Sequence, residues 1–337
     1  MANAVQTAGV GSPDHLHSTT PRNTSPSRQR LKRPPNQRAA TESRQPRRGP
    51  LLGAHMSIAG GHVNAVHAAV EAGCDIVQVF TKNNNQWYAK PLTDVDVNRF
   101  AEAVRVSGLR VCFAHNSYLI NLASPDPALW KKSIDALVVE LQRCELLGLR
   151  YLVSHPGSHL ESSIDEGLRR VAAGLDEAHR QVPRATVQVL LEITAGQGTN
   201  LGHRFEHLAQ ILEHVREPDR VGICFDTCHA FAAGYAMGTP RQYEATMGEL
   251  DRVVGLRRVK AIHLNDSKRE LGSRVDRHEH IGRGHLGLAA FRCLLNDPRF
   301  RHVPMCLETP KGSEDGTDLD VVNLATLRGL VKRRSMS

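Results

Sequence analysis

From Leu51 onward the chain alternates short apolar or β-branched runs with longer segments of helical spacing. The runs are LLGAHMS (51–57), CDIVQVFT (74–81), VCFAHN (111–116), YLVSHPG (151–157), VQVLLEIT (187–194), VGICFDT (221–227), VKAIHLND (259–266) and VPMCLET (303–309). Near-continuous apolar runs predict strands covered on both faces. Segments such as ALWKKSIDALVVELQRCELLG (128–148) predict helices, here with a glycine stop. Eight strand-then-helix repeats over about 260 residues predict an α/β fold, a (β/α)8 TIM barrel within residues 49–337. A doubly wound open sheet is the alternative.

The polar residues at the ends of these runs change the picture from a fold to a site. They are His55, His115, His155, Glu192, Asp226, His263 and Glu308, and the second run alone lacks one. Strand ends of a barrel converge on one face, where such enzymes keep their active sites. Imidazoles and carboxylates together are the ligand set of zinc, iron or manganese, and unpaired they are costly to bury. Two loop motifs add donors: DTCH (226–229) brings His229, and DRH (276–278) brings Asp276 and His278. Each is weak alone, but alternate residues in an extended segment project the same way and can chelate one ion.

Composition narrows the class. Of 337 residues 43 are Lys or Arg and 35 Asp or Glu, for a net charge of +8, and nearly all the excess lies in Met1–Arg48, with nine basic residues against Asp14 and Glu42. Those 48 residues hold six of the 17 prolines and no Phe, Trp or Tyr, so they predict a disordered basic tail. A nucleic-acid-binding arm, a targeting peptide and an inert extension are its open readings. The seven cysteines form no C-x-x-C pair and mostly sit in apolar runs, as expected of a reduced intracellular protein. No stretch approaches a membrane span and no secretory signal is evident, so a soluble protein is expected, without a membrane partner. The bacterial cytoplasm is the expected compartment, or a nucleus or organelle if the tail is a targeting segment.

The chain resembles the endonuclease IV type of apurinic/apyrimidinic DNA repair nucleases over about residues 51–310. The ordered motifs are GAHMSIAGG (53–61), QVFTKNNNQW (78–87), HNSYLINLA (115–123), SHPGSHL (154–160), EITAGQGTNLG (192–202), DTCHAFAAGY (226–235), HLNDSK (263–268), GSRVDRHEHIG (272–282) and LETP (307–310). The resemblance implies three zinc ions, with manganese an alternative at one site. His115 and His155 would hold the first ion, bridged by Glu192 to a second completed by Asp226, His263 and Glu308. His229, Asp276 and His278 would hold the third. The implied reaction is hydrolysis 5′ to an abasic site in duplex DNA through a zinc-activated hydroxide kept oriented by Glu308 and Glu192. It would leave a 3′-hydroxyl and a 5′-deoxyribose phosphate. His55 would line the site, with a structural histidine as the alternative.

A missing base offers no edge to read, so recognition needs something to fill the gap. The resemblance places Tyr118 and Leu119 there, the NNNQW loop (83–87) with Asn85 is another DNA-facing candidate, and Lys268, Arg274 and Arg277 are candidate phosphate contacts, with pairing to a carboxylate as the alternative for Arg277. A monomer is expected. Three positions depart from many relatives: Asn85 is short and neutral, Ile193 stands where an Asn is common, and Ala236 where an Asp is. Loss of that Asn would remove a hydrogen bond behind the ligands and slow the enzyme. A metal-dependent sugar isomerase or epimerase is the rival barrel enzyme, separated by its smaller ion count, and a catalytically silent DNA-binding module is the rival of another class.

Overall fold

The computed structural model describes residues 49–332, so the basic tail at 1–48 lies outside the described residues. All eight apolar runs form parallel strands: β1 (Leu51–His55), β2 (Ile76–Phe80), β3 (Val111–His115), β4 (Tyr151–Ser154), β5 (Gln188–Glu192), β6 (Val221–Asp226), β7 (Val259–His263) and β8 (Pro304–Leu307). They close in sequential order, with β1 pairing both β2 and β8. The open-sheet alternative is thereby excluded. Each strand is followed by helical structure. The helices are α1 (His62–Glu71), α2 (Asp94–Ser107), α3 (Pro127–Leu147), α4 (Ile164–Gln181), α5 (Phe205–His214), α6 (Thr227–Ala233), α7 (Pro240–Val253), α8 (Leu288–Leu295) and α9 (Leu319–Leu330).

Local chemistry sets the helix ends. Asp126 caps α3 by accepting from Ala128 N, Pro127 supplies a preset first turn, and Gly148 ends the helix at φ 65°. Thr93 and Asp96 close a capping box at the start of α2. The apolar faces of these helices pack on the outside of the barrel, where Phe100, Leu137, Leu141, Leu175 and Phe205 are all buried. Each such side chain contributes about 1.5–3 kcal/mol on leaving water.

The barrel interior is filled separately, by one residue from every strand: Leu51, Ile76, Phe113, Val153, Leu190, Cys224, Ala261 and Cys306. Side chains alternate across a strand, so the next inward position lies two residues on. In seven strands that step leads from the plug to a polar residue: Ile76 to Gln78, Phe113 to His115, Val153 to His155, Leu190 to Glu192, Cys224 to Asp226, Ala261 to His263 and Cys306 to Glu308. In β1 the step passes Gly53, where a Cβ would lie 2.0 Å from the Ile76 carbonyl oxygen, and reaches His55. The apolar plug and the polar mouth are thus consecutive layers of one register.

Candidate metal centre

The barrel brings the nine expected donors into three adjoining groups, each with ligand atoms within 4.8 Å of one another: His115, His155 and Glu192; Glu192, Asp226, His263 and Glu308; and His229, Asp276 and His278. In the first, the Nε2 atoms of His115 and His155 each lie 3.1 Å from Glu192 Oε2. In the second, His263 Nδ1 is 2.9 Å from Glu192 Oε1, 3.1 Å from Glu308 Oε2 and 3.7 Å from Asp226 Oδ2. In the third, His229 Nε2 is 3.2 Å from Asp276 Oδ2 and 3.3 Å from His278 Nε2.

These spacings test whether the residues fit a metal. Two ligand atoms about 2.0–2.1 Å from a tetrahedral zinc stand about 3.3 Å apart, and the separations in the three groups, 2.9–3.7 Å, bracket that value. Ring orientation agrees. An imidazole nitrogen facing a carbonyl must donate, so His115 Nδ1 donates to Asn116 O (2.8 Å), His229 Nδ1 to Ile193 O (2.9 Å) and His278 Nδ1 to Glu308 O (3.1 Å). Each neutral ring then presents its Nε2 lone pair to the cluster. For His229 and His278 that aims two lone pairs at one another across 3.3 Å, an arrangement that requires positive charge between or upon them.

The electrostatics point the same way. Burial alone would raise the carboxyl of Glu192, but His263 and His155 beside it hold it well below the usual carboxylate range. Glu308 behaves likewise, burial being outweighed by His263 and His55. Burial disfavours a charged His229, yet Asp226 and Asp276 raise it well above its ordinary value. Four carboxylates among five imidazoles need cations, and divalent ions supply them while leaving the rings neutral. Two cysteines also border the groups, Cys224 beside Glu192 and His263, and Cys228 beside Asp226 and His278. Burial pushes both thiols up to about 12.

The second strand corrects the sequence reading, which found no polar contributor there. Gln78 is fully buried at the same layer as the donors. Its amide nitrogen donates to Glu308 Oε1 at 2.5 Å and to His55 Nδ1 at 2.8 Å, and its oxygen accepts from His263 Nε2 at 2.8 Å. The residue lies two positions before the end of the strand, within an apolar stretch. A lone Gln between two valines is the signal that marks it. His55 lines the site as expected, 3.5 Å from Glu308 Oε1, with its Nε2 buried and without a hydrogen-bond partner among the described residues.

Ile193 lies directly behind His229. Its side chain is buried in the outer core, whereas its carbonyl orients His229. The bond behind that ligand is therefore a backbone bond, which any residue at 193 supplies. Tyr118 is 56% exposed and its ring stands 5.2 Å from His115, 5.6 Å from Phe80 and 6.1 Å from His155. Leu119 is half-buried beside it, and Asn85 is exposed on the preceding strand's loop. Arg277, exposed, donates to the Asp276 carbonyl at 2.6 Å rather than to a carboxylate, and Arg274 donates to Gly196 O at 3.0 Å.

Comparison with known proteins agrees with the fold and narrows it. Residues 66–326 match the family model described as a xylose isomerase-like TIM barrel. The protein named "Probable endonuclease 4" in Geobacter sp. (strain M21) is 50% identical over 282 residues, 84% of this chain and 99% of that protein. The crystal structure of endonuclease IV from Thermus thermophilus superposes with a TM-score of 0.73 at 37% identity, over 83% of this chain and 98% of that one. A D-allulose 3-epimerase from Methylomonas sp. superposes with a TM-score of 0.60 at 17% identity, over 85% of this chain and 99% of that one, a likeness of fold alone. Identical at half of 282 aligned positions to a relative that it covers almost end to end, the chain belongs to the endonuclease IV family.

Proposed function

We infer that the protein is a DNA repair endonuclease that hydrolyses the phosphodiester 5′ to an abasic site in duplex DNA, using three zinc ions held by the nine converging donors. The observation that carries this reading is the common spacing of ring nitrogens and carboxylate oxygens, 2.9–3.3 Å across the closest pairs of all three groups. Bound zinc supplies Lewis acidity toward phosphate oxygens and brings water within reach of deprotonation at neutral pH.

The chain's own groups do the rest. Glu192, fully buried, spans two groups with one oxygen toward His115 and His155 and the other toward His263. Glu308 is the carboxylate nearer the mouth, 12% exposed, and Gln78 holds one of its oxygens. That turns the second oxygen, 3.1 Å from His263 Nδ1, toward the second zinc position, where Glu308 with Glu192 would keep the attacking hydroxide oriented. Tyr118 and Leu119 stand beside the first group, where a ring and an aliphatic wedge fill the space of a missing base. The product carries a 3′-hydroxyl and a 5′-deoxyribose phosphate, and the chain acts as a monomer because one barrel supplies every donor.

The test is incision of a duplex bearing one tetrahydrofuran abasic analogue, which cannot undergo β-elimination. Zinc-loaded wild type is expected to nick on the 5′ side. Glu308→Gln and the chelator-stripped protein are expected to lose on the order of 10²-fold or more in rate. Full zinc occupancy with no nick would overturn the reading.

A further inference from the structure

The DNA-facing loops after β2 and β3 meet at a buried carboxylate outside the metal centre. Glu140, on α3, is 1% exposed, and the donors that satisfy it come from both loops. Lys82 Nζ lies 3.1 Å from its Oε1, the Ser117 amide donates to the same oxygen at 3.3 Å, and the Thr81 hydroxyl donates to Oε2. Lys82, 4% exposed, also donates to the Gln86 carbonyl at 2.8 Å. Ser117 Oγ donates to the Asn84 carbonyl at 2.6 Å and accepts from the Leu119 amide at 3.3 Å. Three residues further along α3, Arg143 donates to the carbonyls of Thr81 (2.6 Å) and Lys90 (3.0 Å), closing the base of the first loop.

We propose that Glu140 and Lys82 are positioning residues that lock the 82–86 and 117–119 loops to one another, so that Asn85 and the Tyr118–Leu119 wedge meet DNA as one preformed surface. Stability alone does not explain the pair, because an apolar pair of similar volume is often as stable as a buried ion pair. What an apolar pair lacks is direction: a carboxylate with fixed donors from two separate loops sets the distance between them. Loops held in their bound form lose less freedom on binding. The proposal rests on the reading that these loops face abasic DNA.

The test compares the full chain, zinc-loaded, with Glu140→Gln and Lys82→Met, each first checked for zinc content and thermal melting. Hydrogen exchange without DNA is the first readout. Glu140→Gln is expected to speed exchange at Ser117 and Leu119 and also at Asn85 and Gln86, whose own hydrogen bonds to Asn83 the substitution does not touch. The second readout is incision kinetics, where KM for the abasic duplex is expected to rise about tenfold with kcat within about twofold. If these variants fail to fold, Ser117→Ala cuts the link to Asn84 and leaves the charge pair, and the same joint exchange is expected with a smaller rise in KM. Faster exchange confined to 117–119, or an unchanged KM in a folded variant, overturns the proposal. A wild type that nicks no abasic duplex overturns the nuclease reading instead, while the exchange pattern still decides whether the loops are coupled.

Discussion

Gln78 Oε1 and His263 Nε2 stand 2.8 Å apart, and that contact decides which nitrogen of the ring faces the donor cluster. An amide oxygen only accepts, so His263 carries its proton on Nε2 and turns the lone pair of Nδ1 toward Glu192, Asp226 and Glu308. The same amide, through its nitrogen, holds Glu308. One uncharged side chain therefore orients two donors of one group.

Gln78→Leu should accordingly weaken one zinc ion and leave the others in place. A loss of about 10–100-fold in affinity at that site is expected, since partners behind a metal ligand typically contribute that much. Competition against a chromophoric chelator reads it directly, and three unchanged affinities would show that the amide is dispensable.

Zinc removal should cost stability as well as activity. At free zinc about 1,000-fold above Kd, an ion that binds only the folded chain adds about 4 kcal/mol. Stripping all three is expected to lower the melting temperature by many degrees, reversibly on adding zinc back. Equal melting curves with and without chelator would mean that the donors hold no ion in solution.

Tyr118 should act through its ring. It is exposed yet braced against Phe80 and His115, and stacking of this kind is worth about 1–3 kcal/mol. Tyr118→Ala is expected to raise KM for the abasic duplex about tenfold or more with zinc content unchanged, whereas Tyr118→Phe should behave as wild type. A loss shared equally by both variants would move the role to the hydroxyl.

Away from the site, His179 on α4 ties folding to pH. It is 1% exposed, neither ring nitrogen has a partner among the described residues, and burial with Arg220 nearby lowers it from 6.5 to about 4. Above pH 6.5 the ring is neutral in both folded and unfolded chains. As pH falls through the window from 6.5 to about 4 the unfolded chain takes up the proton first, so stability is lost there. His179→Leu should flatten that part of the stability profile, measured by urea unfolding of the zinc-loaded protein at stepped pH. An unaltered slope would place the acid sensitivity elsewhere.

Much of this molecule is determined by its sequence taken alone. Runs buried on both faces, helix stops such as Gly148 and the order of the repeats are local properties, and they specify eight strands alternating with helices, whereas the pairing of β1 with β8 chose the barrel over an open sheet. Six of the nine donors were legible for the same reason, and His229, Asp276 and His278 through the DTCH and DRH loop motifs and the family resemblance. A His, Asp or Glu at the end of an apolar strand is chemically out of place unless something pairs with it, and in a barrel those ends share one mouth. Closure of the barrel decided the remainder. Gln78 becomes part of the site only because β2 lies in register beside His55 and across the barrel from His263. The choice of ring nitrogen depends on carbonyls such as Ile193 O, whose position no side-chain pattern reports. Glu140 reads as an ordinary helix residue until α3 packs beneath two loops that lie 58 and 23 positions earlier in the chain, at Lys82 and Ser117. Periodicity carries short-range order, whereas hydrogen-bond direction and the pairing of buried charge exist only between segments that the fold brings together.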